Sequence, residues 1–190
     1  MMYALDEKVV YPGLGVAQVK QVIEKSFGIT KAKFYELKFI NKEMTILIPV
    51  ETNDTSCGIR ALSTEKNIEE VLNLLSEPVA TKKNCTTSSW SKRNKQYQYR
   101  IKTGDLMEIT KIYRDLQYMS QEKDLSFGER NLLHQTESLL AEEIAIVKNM
   151  IEEQAIQTLR SVFIGEHIKY NVNNIARVSK TNVNVLNSAI

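Results

Sequence analysis

Residues 34–50 read FYELKFINKEMTILIPV, and this stretch decides the class of fold. Inward and outward side chains alternate through 34–39 and again through 44–50, which is the period of a half-buried β-strand. Between the two runs, Asn41-Lys42-Glu43 has the length and polarity of a hairpin loop. The alternation predicts one face of the second strand formed by Met44, Ile46, Ile48 and Val50, and an outer face formed by Thr45, Leu47 and Pro49.

Pro49 and Leu47 indicate what kind of strand this is. Proline has no N–H to donate to a ladder, so the strand is predicted to lie at a sheet edge or to end there. An outward leucine on an edge strand is a candidate for strand-edge pairing with a partner protein. The alternative is an incidental surface leucine, which is common. Glu36 is also predicted to point outward, beside this edge.

The residues around this hairpin also favour short strands. Residues 8–11 are rich in β-branched side chains and end at a Pro12-Gly13 turn. Residues 16–24 alternate imperfectly, which predicts a strand with a bulge, and Gly58 opens a last short strand. Five strands within about 60 residues, with no helix between them, predict a small antiparallel β-barrel in a domain over residues 1–65.

The hydrophobic period changes to that of helices after Ser63. Three pairs spaced as an N-cap and its third helical residue mark helix starts: Asn67 with Glu70, Asp105 with Glu108, and Ser126 with Glu129. We therefore predict an α+β chain whose second domain, residues 66–160, is compact and all-α. Polar residues 79–89 are predicted to connect its first helix to the rest, and 161–190 form a tail without readable periodicity. The last long helix is predicted to carry one apolar face of Leu133, Leu140, Ile144, Val147 and Ile151.

A basic segment without acidic residues lies between Pro78 and Gly104, although the whole chain carries a net charge of only +2. Lysine and arginine bind DNA by releasing counterions, and a flat apolar ring can enter the minor groove. The alternative is a solvated basic helix with a half-buried tryptophan. The segment holds Trp90, the chain's one tryptophan, and the cations Lys82, Lys83, Lys92, Arg93, Lys95, Arg100 and Lys102.

Other classes of function find little support. Cys57 and Cys85 lack a CxxC partner, and His134 and His167 lie in different segments, so we expect neither a metal nor another cofactor. Residues 126–129 read as a helix cap rather than a nucleophile elbow, and we expect no enzymatic activity. Without an apolar run of the roughly 20 residues that span a bilayer, we expect a cytoplasmic protein without a membrane partner.

Several of these segments resemble one known family, in the same order along the chain. In the first domain they are VVYPGLGVAQV (9–19), FYELKF (34–39), MTILIPV (44–50) and GIR (58–60). In the second they are WSKR (90–93), IKTGDLMEI (101–109), YRDL (113–116) and KDLSFGERNLL (123–133). The chain thus resembles the CarD/CdnL family of bacterial RNA-polymerase-binding proteins over residues 6–150.

The resemblance implies a division of labour between the domains. A Tudor-like β domain, similar to that of the transcription-repair coupling factor, would bind the RNA polymerase β subunit through Leu47 and Pro49. The helical domain would lie on promoter DNA at the upstream edge of the melted region, where Trp90 wedges into the minor groove and stabilises the open complex. Phosphate contacts would come from the basic residues beside it, Lys92, Arg93, Lys95 and Arg100.

The sequence departs from the family at the expected docking edge. Glu36 stands where members usually carry an apolar residue, so the contact with polymerase there is expected to be altered. Some members have arginine at the position of Leu47. The protein is expected to be a monomer when free. The leading alternative function is a stand-alone DNA-binding protein acting without polymerase, but the Trp90 helix offers charge and one ring rather than a set of base-reading side chains.

Overall fold

The computed structural model describes residues 3–27, 30–50, 58–77 and 89–163. Five strands come first: β1 (Lys8–Tyr11), β2 (Gly15–Phe27), β3 (Thr30–Phe39), β4 (Thr45–Pro49) and β5 (Arg60–Ala61). Helices follow: α1 (Glu65–Ser76), α2 (Trp90–Lys102), α3 (Leu106–Glu122), α4 (Phe127–Val147) and α5 (residues 152–163). The α+β class is confirmed. Residues 79–88 of the predicted connection and 164–190 of the predicted tail lie outside the described residues.

The strands form one antiparallel sheet in the order β4-β3-β2-β1-β5. Within the described residues its hydrogen bonds do not close into a barrel, so β4 and β5 are its two edges. The edge position predicted from Pro49 is therefore confirmed. The bulge predicted in the second strand is also present, as a shift in register between Val19 and Gln21.

The sheet has its own apolar core on one face. Because side chains alternate along a strand, the register that buries Tyr35 and Leu37 on β3 turns Glu36 to the other face. The predicted inner face of β4 is likewise anchored by Ile48, which is 6% exposed. The buried side chains of this core are Val9, Ala17, Val19, Tyr35, Leu37, Phe39 and Ile48.

The helices build a second and larger core. Ile68, Val71 and Leu75 on α1 are buried in it, so α1 packs with the helices rather than with the sheet. α3 and α4 form its centre, where Ile112, Leu116 and other side chains are fully buried. This grouping agrees with a helical domain that begins near residue 66, although the domain limits themselves stay a prediction.

The helix starts were predicted with mixed success. The capping box of Ser126 and Glu129 is confirmed. The first capping box was predicted three residues too late, because Thr64 and not Asn67 is the N-cap of α1. The Thr64 hydroxyl accepts from the Asn67 N–H, and the Asn67 amide oxygen accepts from the Thr64 N–H, as a glutamate usually does in this motif. At α3, Asp105 caps Met107 N–H at 2.8 Å as predicted, whereas Glu108 turns away to basic partners.

The last long helix ends earlier than its apolar stripe predicted. α4 stops at Val147, and Asn149 adopts a left-handed conformation with φ of 51°. Met150 N–H then donates to the carbonyl of Ala145 at 2.9 Å, which is the bond of a Schellman motif. Ile151 consequently lies outside α4 and is 60% exposed, so its assignment to the buried stripe was wrong.

Candidate partner and nucleic-acid interfaces

Helix α2 presents two chemically different faces. Arg93, Tyr97 and Ile101 recur every four residues and are buried against the other helices. Because a helix turns once in about 3.6 residues, the positions on the side opposite these three face solvent. Lys92 and Lys95 are both exposed on that outer side. The geometry therefore leaves these two predicted phosphate ligands accessible.

Trp90 begins α2 and is half-buried, packed against the edge of the helical core. Its indole lies on the backbone of Gly128, in the first turn of α4. A Cβ placed on Gly128 would lie 3.0 Å from the indole Cζ2 and 3.2 Å from Nε1. Both are tighter than ordinary packing, so the absence of a side chain at Gly128 makes room for the ring. Trp90 is thus held in place by α4 while part of its surface stays open to solvent.

Arg93 is not on the surface where the sequence suggested a phosphate contact. It is buried, and its guanidinium Nη2 lies 3.0 Å from Oε1 of Glu129. Burial raises the pKa of the Glu129 carboxyl, but hydrogen bonds from Ser126 and Lys123 outweigh this and lower it overall. The geometry therefore assigns Arg93 to holding α2 on α4 and does not support a role in phosphate binding.

Arg100 is also engaged within the protein. Its Nε donates to Oε2 of Glu108 at 2.6 Å, and Lys111 reaches the other oxygen at 2.7 Å. Hydrogen bonds from Lys111 and Arg100 lower the pKa of Glu108. Because the Arg100 side chain is 28% exposed and its Nε is already hydrogen-bonded to Glu108, it is less available to DNA phosphates than the exposed Lys92 and Lys95.

On the outer face of the sheet, two of the predicted polymerase contacts, Leu47 and Glu36, lie in one row, and the third, Pro49, lies two residues further along β4, opposite Phe34. Leu47 on β4 is 38% exposed and lies opposite Glu36 on β3. Glu36 lies opposite Gln21 on β2, whose amide nitrogen donates to its Oε2 at 2.7 Å. The sequence analysis missed Gln21, because its place follows from the bulge at 19–21 and the pairing of β2 with β3. A polar bridge therefore adjoins the exposed leucine.

The backbone of β4 has an open side in the described part of the structure. The N–H of Val50 donates to the carbonyl of Lys33, and the carbonyl of Met44 accepts from the N–H of Phe39. Met44 and Val50 therefore direct their backbone groups toward β3. Backbone groups alternate in direction along an antiparallel strand, and the β3–β4 register has no shift. Leu47 consequently directs its N–H and C=O away from the sheet, where another strand could pair.

Two adjacent carboxylates on α4 join the sheet to the helices. Glu143, buried from solvent, receives both Nη atoms of Arg60 at 2.7 Å each and the N–H of Ser63 at 2.8 Å. Glu142 accepts from Val16 N–H at 3.1 Å, with the Lys42 ammonium 3.7 Å away. Burial raises the pKa of Glu142 despite these contacts. No sequence motif pointed to Glu142 or Glu143 as the residues that join the sheet to the helices. The partners Arg60 and Glu143 are 83 residues apart in the chain.

Nowhere in the ranges given above do three His, Cys, Asp or Glu side chains gather in a way that could hold a metal ion. The helices described there include none long and apolar enough to span a membrane.

Comparison with known proteins matches both halves of the chain. Residues 3–63 match the family model described as the CarD-like/TRCF RID domain, and residues 70–160 match that of the CarD C-terminal domain. A Bacillus subtilis (strain 168) protein named "Putative transcription factor YdeB" is 26% identical over 153 residues, which cover 80% of this chain and 97% of that protein. The two matched regions coincide with the sheet and with most of the helices.

Proposed function

Because the chain belongs to the CarD family of transcription regulators, we propose that it acts during transcription initiation as a bridge between RNA polymerase and promoter DNA. The β domain binds the polymerase β subunit, and the helical domain contacts DNA beside the melted region and stabilises the open complex. The observation that carries the proposal is that residues 3–63 match a domain shared with TRCF, a domain type associated with polymerase interaction. The protein contributes binding energy rather than catalysis and works as a monomer.

The polymerase contact is assigned to the free edge of β4. A strand of the partner can extend an antiparallel sheet through the outward backbone groups of Leu47, and the exposed leucine side chain adds apolar contact. Residue 49 is turned outward as Leu47 is, and there proline offers its C=O but no N–H, so pairing with the partner strand centres on Leu47. Glu36 and Gln21 contribute a polar contact to the same surface, in place of the apolar one usual at the position of Glu36.

The DNA contact is assigned to Trp90 with Lys92 and Lys95. The two exposed lysines attract the phosphate backbone regardless of base sequence, which brings the first turn of α2 to the duplex. The indole, seated on Gly128, then meets an unstacked base step or a widened minor groove. Such a contact forms only where the base step is unstacked or the groove is widened, as at the edge of the melted region, so it shifts the equilibrium toward the open complex. Arg93 and Arg100 support this surface from behind through their carboxylate partners.

Capture of the β subunit tests the polymerase half of the proposal. The full chain carrying Leu47→Arg with Pro49→Ala should capture much less β subunit than the wild type, while its melting temperature stays the same. Gln154→Arg, which adds the same charge to an exposed position on α5, is the matched control and should capture normally. Undiminished capture by a folded double variant would place the docking surface elsewhere.

The lifetime of the open complex tests the DNA half. Trp90→Ala should shorten this lifetime at a weak promoter without reducing capture of the β subunit. Because the indole is half-buried, some loss of stability is expected as well, so Trp90→Phe, which keeps an apolar ring on Gly128, separates packing from wedging. An unchanged lifetime with Trp90→Ala would refute the wedge. Tight binding to free duplex without polymerase would instead favour a stand-alone DNA-binding protein.

A further inference from the structure

Tyr99 is a large aromatic residue that the helical core leaves outside. It lies on α2 and is 73% exposed, in contrast to Tyr97 two residues earlier, which is 6% exposed. Neighbours two apart on a helix point in widely different directions, which explains why one ring is buried and the other is not. The role assigned above to Trp90, Lys92 and Lys95 does not use Tyr99.

Lysines share the helix face of Tyr99. Lys92, Lys95, Tyr99 and Lys102 follow one another at intervals of three, four and three residues, which is the spacing of a single stripe along a helix, and all four are exposed. The buried residues Arg93, Tyr97 and Ile101 occupy the opposite side. With a rise of about 1.5 Å per residue, the stripe is about 15 Å long. It will be called the Tyr99 stripe.

The charge of the Tyr99 stripe is positive along its whole length. The sequence of α2, WSKRNKQYQYRIK, contains no acidic residue. The nearby carboxylate Glu108 is held by Arg100 and Lys111. Three lysine ammonium groups are thus displayed around one aromatic ring. A polyanion with flat, partly apolar components complements such a surface, and a nucleic-acid strand has both properties.

We propose that the Tyr99 stripe binds one strand of promoter DNA, with Tyr99 packing on a sugar or base and Lys102 contacting phosphate. The inference rests on the proposed function and extends its DNA surface by two helical turns beyond Lys95. A stripe of about 15 Å is long enough to meet more than one phosphate of the same DNA strand. The ring gives a contact that ionic strength does not weaken as it weakens the lysine contacts.

Photocrosslinking in the complete complex identifies what the stripe touches. The full chain carries photoreactive benzoyl-phenylalanine in place of Tyr99 and is assembled with polymerase and promoter DNA. We expect a crosslink to DNA, and none to DNA when the same group replaces Gln157, an exposed residue of α5. A crosslink to a polymerase subunit instead, or the absence of any crosslink, would overturn the inference. A crosslink to DNA without an effect of the protein on open-complex lifetime would refute the proposed function and leave this inference standing.

Affinity measurements then separate the ring from the charges. Tyr99→Ala should weaken binding to the polymerase–promoter complex about five-fold, the low end of the effect of losing one aromatic contact to a base. The slope of affinity against salt should stay as in the wild type. Lys102→Ala should reduce that slope by about one counterion. Both variants should keep the wild-type melting temperature and β-subunit capture, since both side chains are exposed. Wild-type affinity with Tyr99→Ala would refute the role of the ring.

Discussion

The junction between sheet and helices should depend strongly on the ion pair of Arg60 and Glu143. Removing Arg60 leaves a carboxylate that is 1% exposed without its cation. Loss of one partner from a buried pair costs about 3–5 kcal/mol. Glu143 would still accept the N–H of Ser63 at 2.8 Å, and the Arg60 side chain is itself 28% exposed, so water can enter. We therefore expect Arg60→Ala to lower the free energy of unfolding by about 3 kcal/mol, at the bottom of that range.

Urea unfolding of the full chain measures this loss. Glu143→Leu and the double variant complete a double-mutant cycle, in which the double variant should be more stable than Arg60→Ala alone because no uncompensated charge remains. The matched control is Lys20→Ala, which removes an exposed cation 3.6 Å from Asp6 and should cost less than about 1 kcal/mol. Strictly additive losses in the cycle, or a loss from Arg60→Ala no larger than that of the control, would refute the reasoning.

Three further predictions concern single residues. Lys92→Ala should weaken DNA binding and reduce its salt dependence without changing the melting temperature. Arg93→Ala should instead lower the melting temperature, because the Arg93 guanidinium is buried. Burial raises the pKa of Glu142 in the folded protein above its ordinary value of 4.5. The protonated Glu142 therefore adds to stability below pH 4.5, and this contribution is lost as the pH rises through the raised pKa. In urea unfolding measured across this pH range, Glu142→Gln should abolish this pH dependence. Gly128→Ala should displace the indole of Trp90 and change its fluorescence while α4 stays folded. An unchanged emission spectrum would contradict the packing of the indole on Gly128.

The sequence predicted those parts of the fold that short-range patterns encode. Period-two alternation located β3 and β4, proline chemistry put Pro49 at an edge, and the Ser126–Glu129 spacing marked the start of α4. The predictions failed at two helix ends, where a different capping residue from the one predicted begins or ends the helix. Asn67 served as a box partner rather than a cap, and a left-handed Asn149 ended α4 inside an apolar stripe that continued to Ile151.

The candidate site was predictable by composition but not residue by residue. The basic run correctly located exposed cations at Lys92 and Lys95. It could not tell them from Arg93, because the difference lies in Glu129, which is 36 residues away and approaches only when α4 packs on α2. The same limit applies to Arg60 and Glu143. Long-range ion pairs leave no periodic trace in one sequence, so their members look like ordinary surface charges.

Adjacent carboxylates at the junction have a mechanical consequence. Glu142 and Glu143 are neighbours on α4, so they diverge around the helix and grip two different places in the sheet, the start of β2 and the guanidinium of Arg60 on β5. One anchorage would be a pivot about which the helical domain could swing. Two points of attachment resist rotation of the helices relative to the sheet as well as their separation. They therefore hold the distance and orientation between the free edge of β4 and the indole of Trp90 constant. In the proposed complex, a torque that promoter DNA exerted on α2 would be transmitted to the sheet, where the proposed contact with polymerase would resist it.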